Sequence, residues 1–325
     1  MKVLLTGATG FIGRALVDCL LNDGVSVQAL VRSYTTKLPA EVVQYECGDF
    51  SNLEKGADSE CKTILDEALV DVDVVVHLAA RVHVMNDRAE DPLSLFRQLN
   101  RDATLGLAKR SAEKGVERFV YLSSIKVNGE LSPVGKPFRG DDTTGPTDPY
   151  GLSKYEAENA LLELAGVTKM GVVIIRPPLV YGPGVKANFA SIVKIVKKGF
   201  PIPLALIRNK RSLVALENLV DFIALCADLD KSPKAANQIF LISDDEDVST
   251  PELIRKIAYA YGLTPRLFPF PVSWMRFIAR LLGKEDVAAR LFGSLQVDIS
   301  KAKSLLGWKP VVSMDEQLKK MGEVG

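Results

Sequence analysis

The stretch VLLTGATGFIG, residues 3–13, places three glycines between an apolar run and the start of an amphipathic segment. In such a turn Gly7 permits the tight bend, Gly10 lets the backbone approach a pyrophosphate, and Gly13 lets a helix and a strand pack closely. The free amides and the positive dipole end of the helix that follows favour bound phosphate groups. Because a strand is predicted before the glycines and a helix after them, we predict a dinucleotide-binding turn.

Apolar runs alternate with amphipathic stretches downstream of this turn, which is typical of βαβ units on a parallel sheet. The continuous valine-rich run at 72–77 indicates a strand that is covered on both faces. Further strands are predicted at 2–6, 25–31, 42–45, 118–123 and 171–176, and helices at 12–23, 93–114 and 150–164. These elements predict an α/β fold with a Rossmann, doubly wound parallel sheet.

Beyond residue 176 the sequence becomes rich in proline and glycine, which suits loops around a ligand. A helix at 218–228 and a strand at 238–242 are expected to rejoin the sheet. We therefore predict a dinucleotide-binding domain at 1–176, with about 213–242 returning to it. A smaller, mostly helical C-terminal substrate lobe is predicted at about 177–212 and 243–325.

The composition is that of an ordinary globular chain, with 47% hydrophobic residues and a net charge of +1 from 41 basic and 40 acidic side chains. No block of like charge marks a nucleic-acid-binding tail, so we expect no nucleic-acid partner. The apolar runs are shorter than the ~18 residues of a spanning helix, which predicts no integral membrane segment. The presence of only two histidines argues against a metal site. Four cysteines without C-x-x-C spacing predict free thiols in a reducing cytoplasm: Cys19, Cys47, Cys61 and Cys226.

The segment YGLSK places Tyr150 and Lys154 four residues apart, and therefore on one face of a predicted helix. A phenol with a pKa of ~10 is a poor acid or base at neutral pH, and a nearby ammonium is expected to lower that pKa. The upstream segment YLSSIKVNG ends a strand in Ser123 and Ser124, at the sheet edge where ligands bind in open α/β folds. We predict that Tyr150 moves a proton while a bound nicotinamide moves a hydride.

Three segments together resemble one family: the Gly-x-x-Gly-x-x-Gly turn, LSSIKVNG at 122–129 and YGLSK at 150–154. The resemblance is to the extended short-chain dehydrogenase/reductase branch known as the NAD-dependent epimerase/dehydratase family, and it covers essentially the whole chain. It implies catalysis by Ser124, Tyr150 and Lys154, with Tyr150, Lys154 and Ser123 also at the cofactor. Further cofactor contacts are implied for Phe11, Ile12, Asp49, Phe50, Leu78, Ala79, Ala80, Asn100 and Pro177. The chain departs from the family at Asn128, where a tyrosine is usual.

The end of the second strand predicts which dinucleotide binds. An acidic residue there would bond the ribose hydroxyls of NAD, whereas this chain reads VQALVRS at 27–33, with Arg32 at that place. A guanidinium suits a ribose 2′-phosphate. NADP(H) is therefore favoured, and NAD(H) is the alternative.

The resemblance also implies a UDP-sugar substrate. Asn188 is expected to read the nucleotide, and Arg211 and Arg290 to bind the diphosphate through bidentate hydrogen bonds, with surface ion pairing as the alternative. His83 and Lys126 are candidates for sugar contacts, with a solvated surface role as the alternative. Residues 272–295 form a basic, amphipathic stretch. We expect it to face the core of the substrate lobe, with a membrane-surface helix as the alternative.

The family contains nucleotide-sugar epimerases, dehydratases and 4-ketoreductases, and the chain resembles both its UDP-glucose 4-epimerases and its bacterial UDP-4-keto-sugar reductases. Arg32 favours a 4-ketoreductase of surface polysaccharide biosynthesis that uses a dissociable NADPH. The alternative is a 4-epimerase with tightly bound NAD. Dehydratases of this fold resemble a Thr-Asp-Glu pattern after this strand, which supplies an acid and a base for the loss of water. This chain has Ser123-Ser124-Ile125 at that position, which disfavours dehydration. A remote alternative is a non-catalytic dinucleotide sensor. Such proteins usually lose the tyrosine or the lysine, whereas this chain keeps both Tyr150 and Lys154. A homodimer is expected from the superfamily.

Overall fold

A seven-stranded, entirely parallel sheet forms the centre of the computed structural model, which describes residues 1–48, 59–81, 91–133, 135–142, 145–146 and 148–324. Its strands are β1 (Lys2–Thr6), β2 (Ser26–Val31), β3 (Val43–Glu46), β4 (Val74–His77), β5 (Arg118–Leu122), β6 (Gly171–Arg176) and β9 (Gln238–Leu241). They run in the order β3-β2-β1-β4-β5-β6-β9. From β1 the strand order proceeds to β3 on one side and to β9 on the other, which confirms the predicted doubly wound fold.

Two apolar cores cover the two faces of this sheet. Successive side chains of a strand point to opposite faces, so Val3 and Leu5 enter one core while Leu4 enters the other. Helices α1 (Phe11–Asn22) and α7 (Leu216–Ala227) pack together over the first core. Helices α2 (Ser59–Ala68), α4 (Ala103–Glu113) and α5 (Pro149–Val167) border the second. Burial on both faces explains why these strands appear in the sequence as unbroken apolar runs.

The helix predicted at 93–114 is interrupted by a wider turn. It consists of α3 (Pro92–Arg97), a π-helical turn at Gln98–Asp102, and α4. Such turns are common at functional sites. Here the wider turn contains Asn100, whose side chain is completely buried beneath the segment that follows β4.

A three-stranded sheet, not predicted from the sequence, organises the smaller part of the chain. Strand β8 (Arg211–Ala215) pairs parallel to β7 (Leu179–Tyr181) and antiparallel to β10 (Asp247–Val248). Three helices contribute to its apolar core: α6 (Ala187–Lys197), α8 (Thr250–Ala260) and α12 (Met314–Val324). Helices α9 (Val272–Leu281) and α10 (Glu285–Phe292) follow α8 in the chain, whereas α11 (Ser300–Leu306) packs beside β9 on the first core of the large sheet. The predicted domain boundaries stay predictions.

Two expectations from the sequence are wrong. Cys47, just after β3, and Cys61, in α2, form a disulfide with a Cα–Cα distance of 5.1 Å, because the two elements lie side by side; Cys19 and Cys226 are free. Disulfides are rare in a reducing cytoplasm, so the cysteines do not support that expected location. Helix α9 does not face the core, since none of its side chains is buried. Over the residues described, no helix is long and apolar enough to cross a bilayer.

Candidate active site

The glycine turn after β1 leaves no room for a side chain at Gly7 or Gly13. Gly7 has a φ of +73°, which favours glycine, and a Cβ added there would lie 2.8 Å from the amide nitrogen of Ala79. A Cβ on Gly13 would lie 2.1 Å from the Gly7 carbonyl oxygen. That oxygen also accepts a hydrogen bond of 2.9 Å from the amide of Gly10, which caps α1. The turn is thus a backbone cradle at a helix N-terminus, which fits the pyrophosphate of a dinucleotide.

The carboxyl end of β4 lies directly beside this cradle. Leu78 and Ala79 are half-buried, and Ala80 is exposed. The Leu78 amide donates to the Thr6 carbonyl at 3.2 Å, and the Ala79 amide donates to the Thr6 hydroxyl at 3.2 Å. Two strand ends and the glycine turn therefore form one continuous edge, with Phe11 and Ile12 half-buried behind it.

His77, in the segment before Leu78, supports this edge from within the protein, a role that the sequence did not predict. His77 Nδ1 lies 2.7 Å from the Thr6 hydroxyl, and Nε2 lies 3.0 Å from the hydroxyl of Thr104. Burial lowers the pKa of His77 to about 3, and the charge of Lys154 adds to the effect. The imidazole is therefore neutral at physiological pH and connects β1, β4 and α4. Its position at the end of a valine-rich run was the available signal.

The predicted catalytic residues come together at the start of α5. Asp148 caps this helix by accepting a hydrogen bond of 3.1 Å from the Gly151 amide, which fixes the first turn that carries Tyr150. The phenol interacts with the Ser124 side chain and is 8% exposed. Lys154 lies one turn further and is 1% exposed; its Nζ donates to the Leu122 carbonyl at 2.9 Å.

The pKa values of the tyrosine and lysine differ from the sequence expectation. Burial raises the pKa of Tyr150 to about 12, although its interaction with Ser124 opposes the rise. Burial lowers the pKa of Lys154 to about 7, opposed by Glu158. The expected lowering of the phenol pKa is wrong for this arrangement, because Nζ is directed at the Leu122 carbonyl and lies 4.4 Å from the ring centroid of Tyr121.

The ends of β5 and β6 supply a further polar atom with no protein partner. The Ser123 amide donates to the Ile175 carbonyl at 2.8 Å, but its buried hydroxyl has no hydrogen-bond partner among the described residues. The carbonyl of Pro177, after β6, accepts from the Ile125 amide at 3.0 Å. A buried, unpaired hydroxyl next to Ser124, the predicted catalytic serine, fits a polar group of the cofactor.

Both polar atoms of the Asn100 side chain form hydrogen bonds within the protein. Its Oδ1 accepts from the Arg81 amide at 2.8 Å, and its Nδ2 lies 3.1 Å from both the Arg81 carbonyl and the Ser153 hydroxyl. Asn100 therefore fixes the segment after Ala80 to α5. We interpret its proposed link to the cofactor as one that acts through this segment.

The structure describes only some of the remaining residues predicted to contact the cofactor or the sugar. Arg32 follows β2 and is exposed at the same sheet edge. Asp49, Phe50 and His83 lie outside the described residues. Asn188 belongs to the first turn of α6, and its side chain is outside the described part.

Three predicted substrate residues meet around one glutamate. Arg211 begins β8, and its Nη1 donates to the Arg290 carbonyl at 2.8 Å. The Nη2 of Arg290 lies 3.6 Å from Glu130, and the Nζ of Lys126 lies 3.3 Å from the same carboxylate. The Nζ of Lys126 is also 5.9 Å from the ring centroid of Tyr150. These contacts thus link Arg211, Arg290 and Lys126 in one cluster, of which Lys126 lies beside Tyr150, and a cluster of cations suits an anionic substrate.

Asn128, where the chain departs from the family, belongs to a buried network that the sequence interpretation missed. Its Oδ1 accepts from Arg176 at 3.0 Å, and its Nδ2 donates to the Arg139 carbonyl at 2.8 Å. Arg176 also forms a buried ion pair of 2.5 Å with Glu158, four residues after Lys154. The asparagine therefore fixes the segment at residue 139 to the strand that ends beside the site.

Comparisons with known proteins agree with this geometry. The sequence model of the NAD dependent epimerase/dehydratase family matches residues 3–242. A Vibrio cholerae protein named UDP-glucose 4-epimerase is 46% identical over 324 residues, which cover 99% of this chain and 94% of that protein.

Two solved structures share the fold. The UDP-glucose 4-epimerase of Thermus thermophilus, in complex with NAD, has a TM-score of 0.76 at 23% identity and covers 100% of this chain and 98% of its own. The UDP-N-acetylglucosamine 4-epimerase of Bacillus cereus has a TM-score of 0.76 at 22% identity, over 99% of this chain and 98% of its own. At these identities the likeness shows the fold alone.

Proposed function

Because the chain belongs to the NAD-dependent epimerase/dehydratase family, and is thus an enzyme of nucleotide-sugar metabolism, we propose that it is a UDP-sugar 4-epimerase with tightly bound NAD. The observation that carries the proposal is the 46% identity to the Vibrio cholerae UDP-glucose 4-epimerase along 99% of the chain. The sequence alone favoured a 4-ketoreductase, and the relatives favour the alternative.

The proposed chemistry centres on Tyr150, which removes the proton of the sugar C4 hydroxyl and later returns it to the oxygen of the other epimer. NAD bound at the glycine cradle would supply the acceptor for the C4 hydride and, once the keto sugar has rotated in the site, the donor to its other face. The Ser124 side chain interacts with the phenol and is positioned to donate a hydrogen bond to the sugar C4 oxygen. Lys154 lies on the same face of α5, and its Nζ would have to turn from the Leu122 carbonyl toward Tyr150 to stabilise the phenolate.

For the substrate, we propose that Arg211 and Arg290 bind the diphosphate. Burial and the neighbouring Arg290 lower the pKa of Arg211, which reflects a guanidinium held with little solvent. A diphosphate would offset that cost by bidentate charge-assisted hydrogen bonds. Asn188 and His83 remain proposed contacts of the nucleotide and the sugar, and Asp49 and Phe50 proposed contacts of the adenine.

The second candidate is an NADPH-dependent 4-ketoreductase. Arg32, exposed at the end of β2 where an acid would select NAD, is the observation that favours it. An NADP preference predicts that Arg32→Ala weakens NADPH binding more than NADH binding. Equal losses for both cofactors would remove this argument. For either candidate, we also propose a role in polysaccharide biosynthesis and a homodimer.

Two measurements test the proposal together. Purified protein is denatured and the released dinucleotide identified by mass; we expect NAD. The intact protein is then incubated with UDP-glucose and UDP-N-acetylglucosamine without added cofactor, and we expect conversion to the C4 epimers. Protein that lacks bound dinucleotide, leaves both sugars unchanged and oxidises NADPH with a UDP-4-keto sugar would establish the ketoreductase instead.

A further inference from the structure

Helix α9 carries large apolar side chains on its exposed face. Trp274, Phe277 and Leu281 are 60%, 55% and 70% exposed, and Ile278 is 43% exposed. Their positions follow the i, i+3, i+4, i+7 spacing, so the four side chains share one face of the helix. Leu282, at the C-terminal end, extends the same face and is 66% exposed.

This apolar face is not the one that packs on the protein. The half-buried positions of α9 are Val272, Met275 and Ala279, on a different side of the helix, and α9 packs against α10. The rings of Trp274 and Phe277 lie edge to face at 6.5 Å, so they contact each other. A surface helix normally turns its apolar face inwards, and exposed apolar patches of this kind mark interaction sites.

Positive charge accompanies the apolar face. Arg276 and Arg280 are exposed, four residues apart on one flank, and Lys284 is exposed just beyond the helix. Residues 266–290 contain five basic and two acidic residues, in a chain with a net charge of only +1. The ion pair of Arg280 with Glu285, at 3.5 Å, is solvent-exposed and therefore weak. The cations remain available to an anionic partner.

We propose that α9 is an interfacial helix that binds the surface of a bilayer containing anionic lipids. The apolar face would enter the boundary between headgroups and acyl chains, while Arg276 and Arg280 meet lipid phosphates. Tryptophan favours this boundary because its ring is apolar and its N–H is polar. A second protein copy is the alternative that the experiment must separate, since tryptophan, phenylalanine and arginine are also enriched at protein interfaces.

This orientation has a consequence for the site. Helix α10, which packs on α9, carries Arg290, whose carbonyl accepts from Arg211. The bilayer surface would thus lie beside the proposed diphosphate-binding arginines. The inference does not depend on the proposed epimerisation, because membrane binding is measured without a substrate.

The test is vesicle flotation of the full-length protein. Vesicles contain equal parts phosphatidylcholine and phosphatidylglycerol, or phosphatidylcholine alone. We expect flotation with the anionic vesicles and binding at least about tenfold weaker to the neutral ones, since each cation near an anionic surface contributes about fivefold. The emission of Trp274 should shift to the blue on binding; the other tryptophan, Trp308, is buried and should not respond.

Matched variants separate α9 from other surfaces. Phe277→Ser with Leu281→Ser should weaken binding at least about tenfold. Val167→Ser with Tyr259→Ser changes two apolar side chains that are 82% and 87% exposed elsewhere, and should leave binding unchanged. Absence of flotation, or equal flotation of the α9 variant, would overturn the proposal. A concentration-dependent dimer that the α9 variant abolishes, without vesicle binding, would overturn it in favour of a second copy.

Discussion

Replacement of Gly13 by alanine should destabilise the protein by about 1–3 kcal/mol, the net of the three terms that follow. The new Cβ would lie 2.1 Å from the Gly7 carbonyl oxygen and 2.8 Å from Ala8 Cα, so backbone must move by about 1 Å. Overpacking of this kind costs about 1–3 kcal/mol. Loss of the hydrogen bond from the Gly10 amide to the same oxygen adds about 0.5–1.5 kcal/mol. Helix propensity alone predicts the opposite sign, a gain of about 1 kcal/mol.

Gly10→Ala is the matched control. Its Cβ would meet only the Gly7 oxygen, at 3.1 Å, and its backbone is extended, so the free energy of unfolding should change by less than about 1 kcal/mol. Its added methyl would still obstruct the approach of a pyrophosphate. Urea unfolding of the cofactor-free proteins gives the stabilities, and calorimetric titration with NAD gives the affinities.

The two variants should therefore separate stability from binding. Gly13→Ala loses both, whereas Gly10→Ala keeps the stability and binds NAD at least about tenfold more weakly. Stabilisation by Gly13→Ala, or equal destabilisation by both variants, would refute the reasoning about the turn.

Three other outcomes follow from the described contacts. Tyr150→Phe should lower kcat at least about a hundredfold with an unchanged circular dichroism spectrum, and a variant with wild-type turnover would contradict the assignment. The pKa of Lys154 is lowered from 10.5 to about 7, so the unfolded chain binds the extra proton between these values and stability rises with pH, at up to about 1.4 kcal/mol per unit. In the Lys154→Met variant, the free energy of unfolding measured with urea should rise less steeply with pH. A slope equal to that of the wild type would contradict the lowered pKa of Lys154. The disulfide closes a separation of 14 residues, so Cys47→Ser should cost about 2–3 kcal/mol and Cys19→Ser much less, with a reductant reproducing the loss only where the disulfide is present.

The large sheet was predictable because local patterns encode it. β1 and β6 have the predicted bounds, since strands covered on both faces are continuous apolar runs between turn signals. The small sheet has no such signal. β7 and β10 contain three and two residues, and they meet through β8 across nearly seventy positions of sequence. Pairing at that separation depends on the tertiary fold.

The site was predictable by residue type, but not in its electrostatics. Sequence spacing places Tyr150 and Lys154 on one face of a helix, but it does not give the direction of the ammonium, which here points to the Leu122 carbonyl. The role of Asn128 depends on Arg176 from another strand. For α9, amphipathicity defines an apolar face without defining what covers it, and the expected core contact is absent.

The account is tested most directly by the fate of the hydrogen on the sugar C4. UDP-glucose and UDP-N-acetylglucosamine, each deuterated at C4, are incubated with the protein without added cofactor, and the products are analysed by mass and proton NMR. Epimerisation through tightly bound NAD predicts C4 epimers that retain deuterium at C4, because the hydride that leaves is the one that returns. Epimers with solvent hydrogen at C4, or no epimer from either sugar, would contradict it.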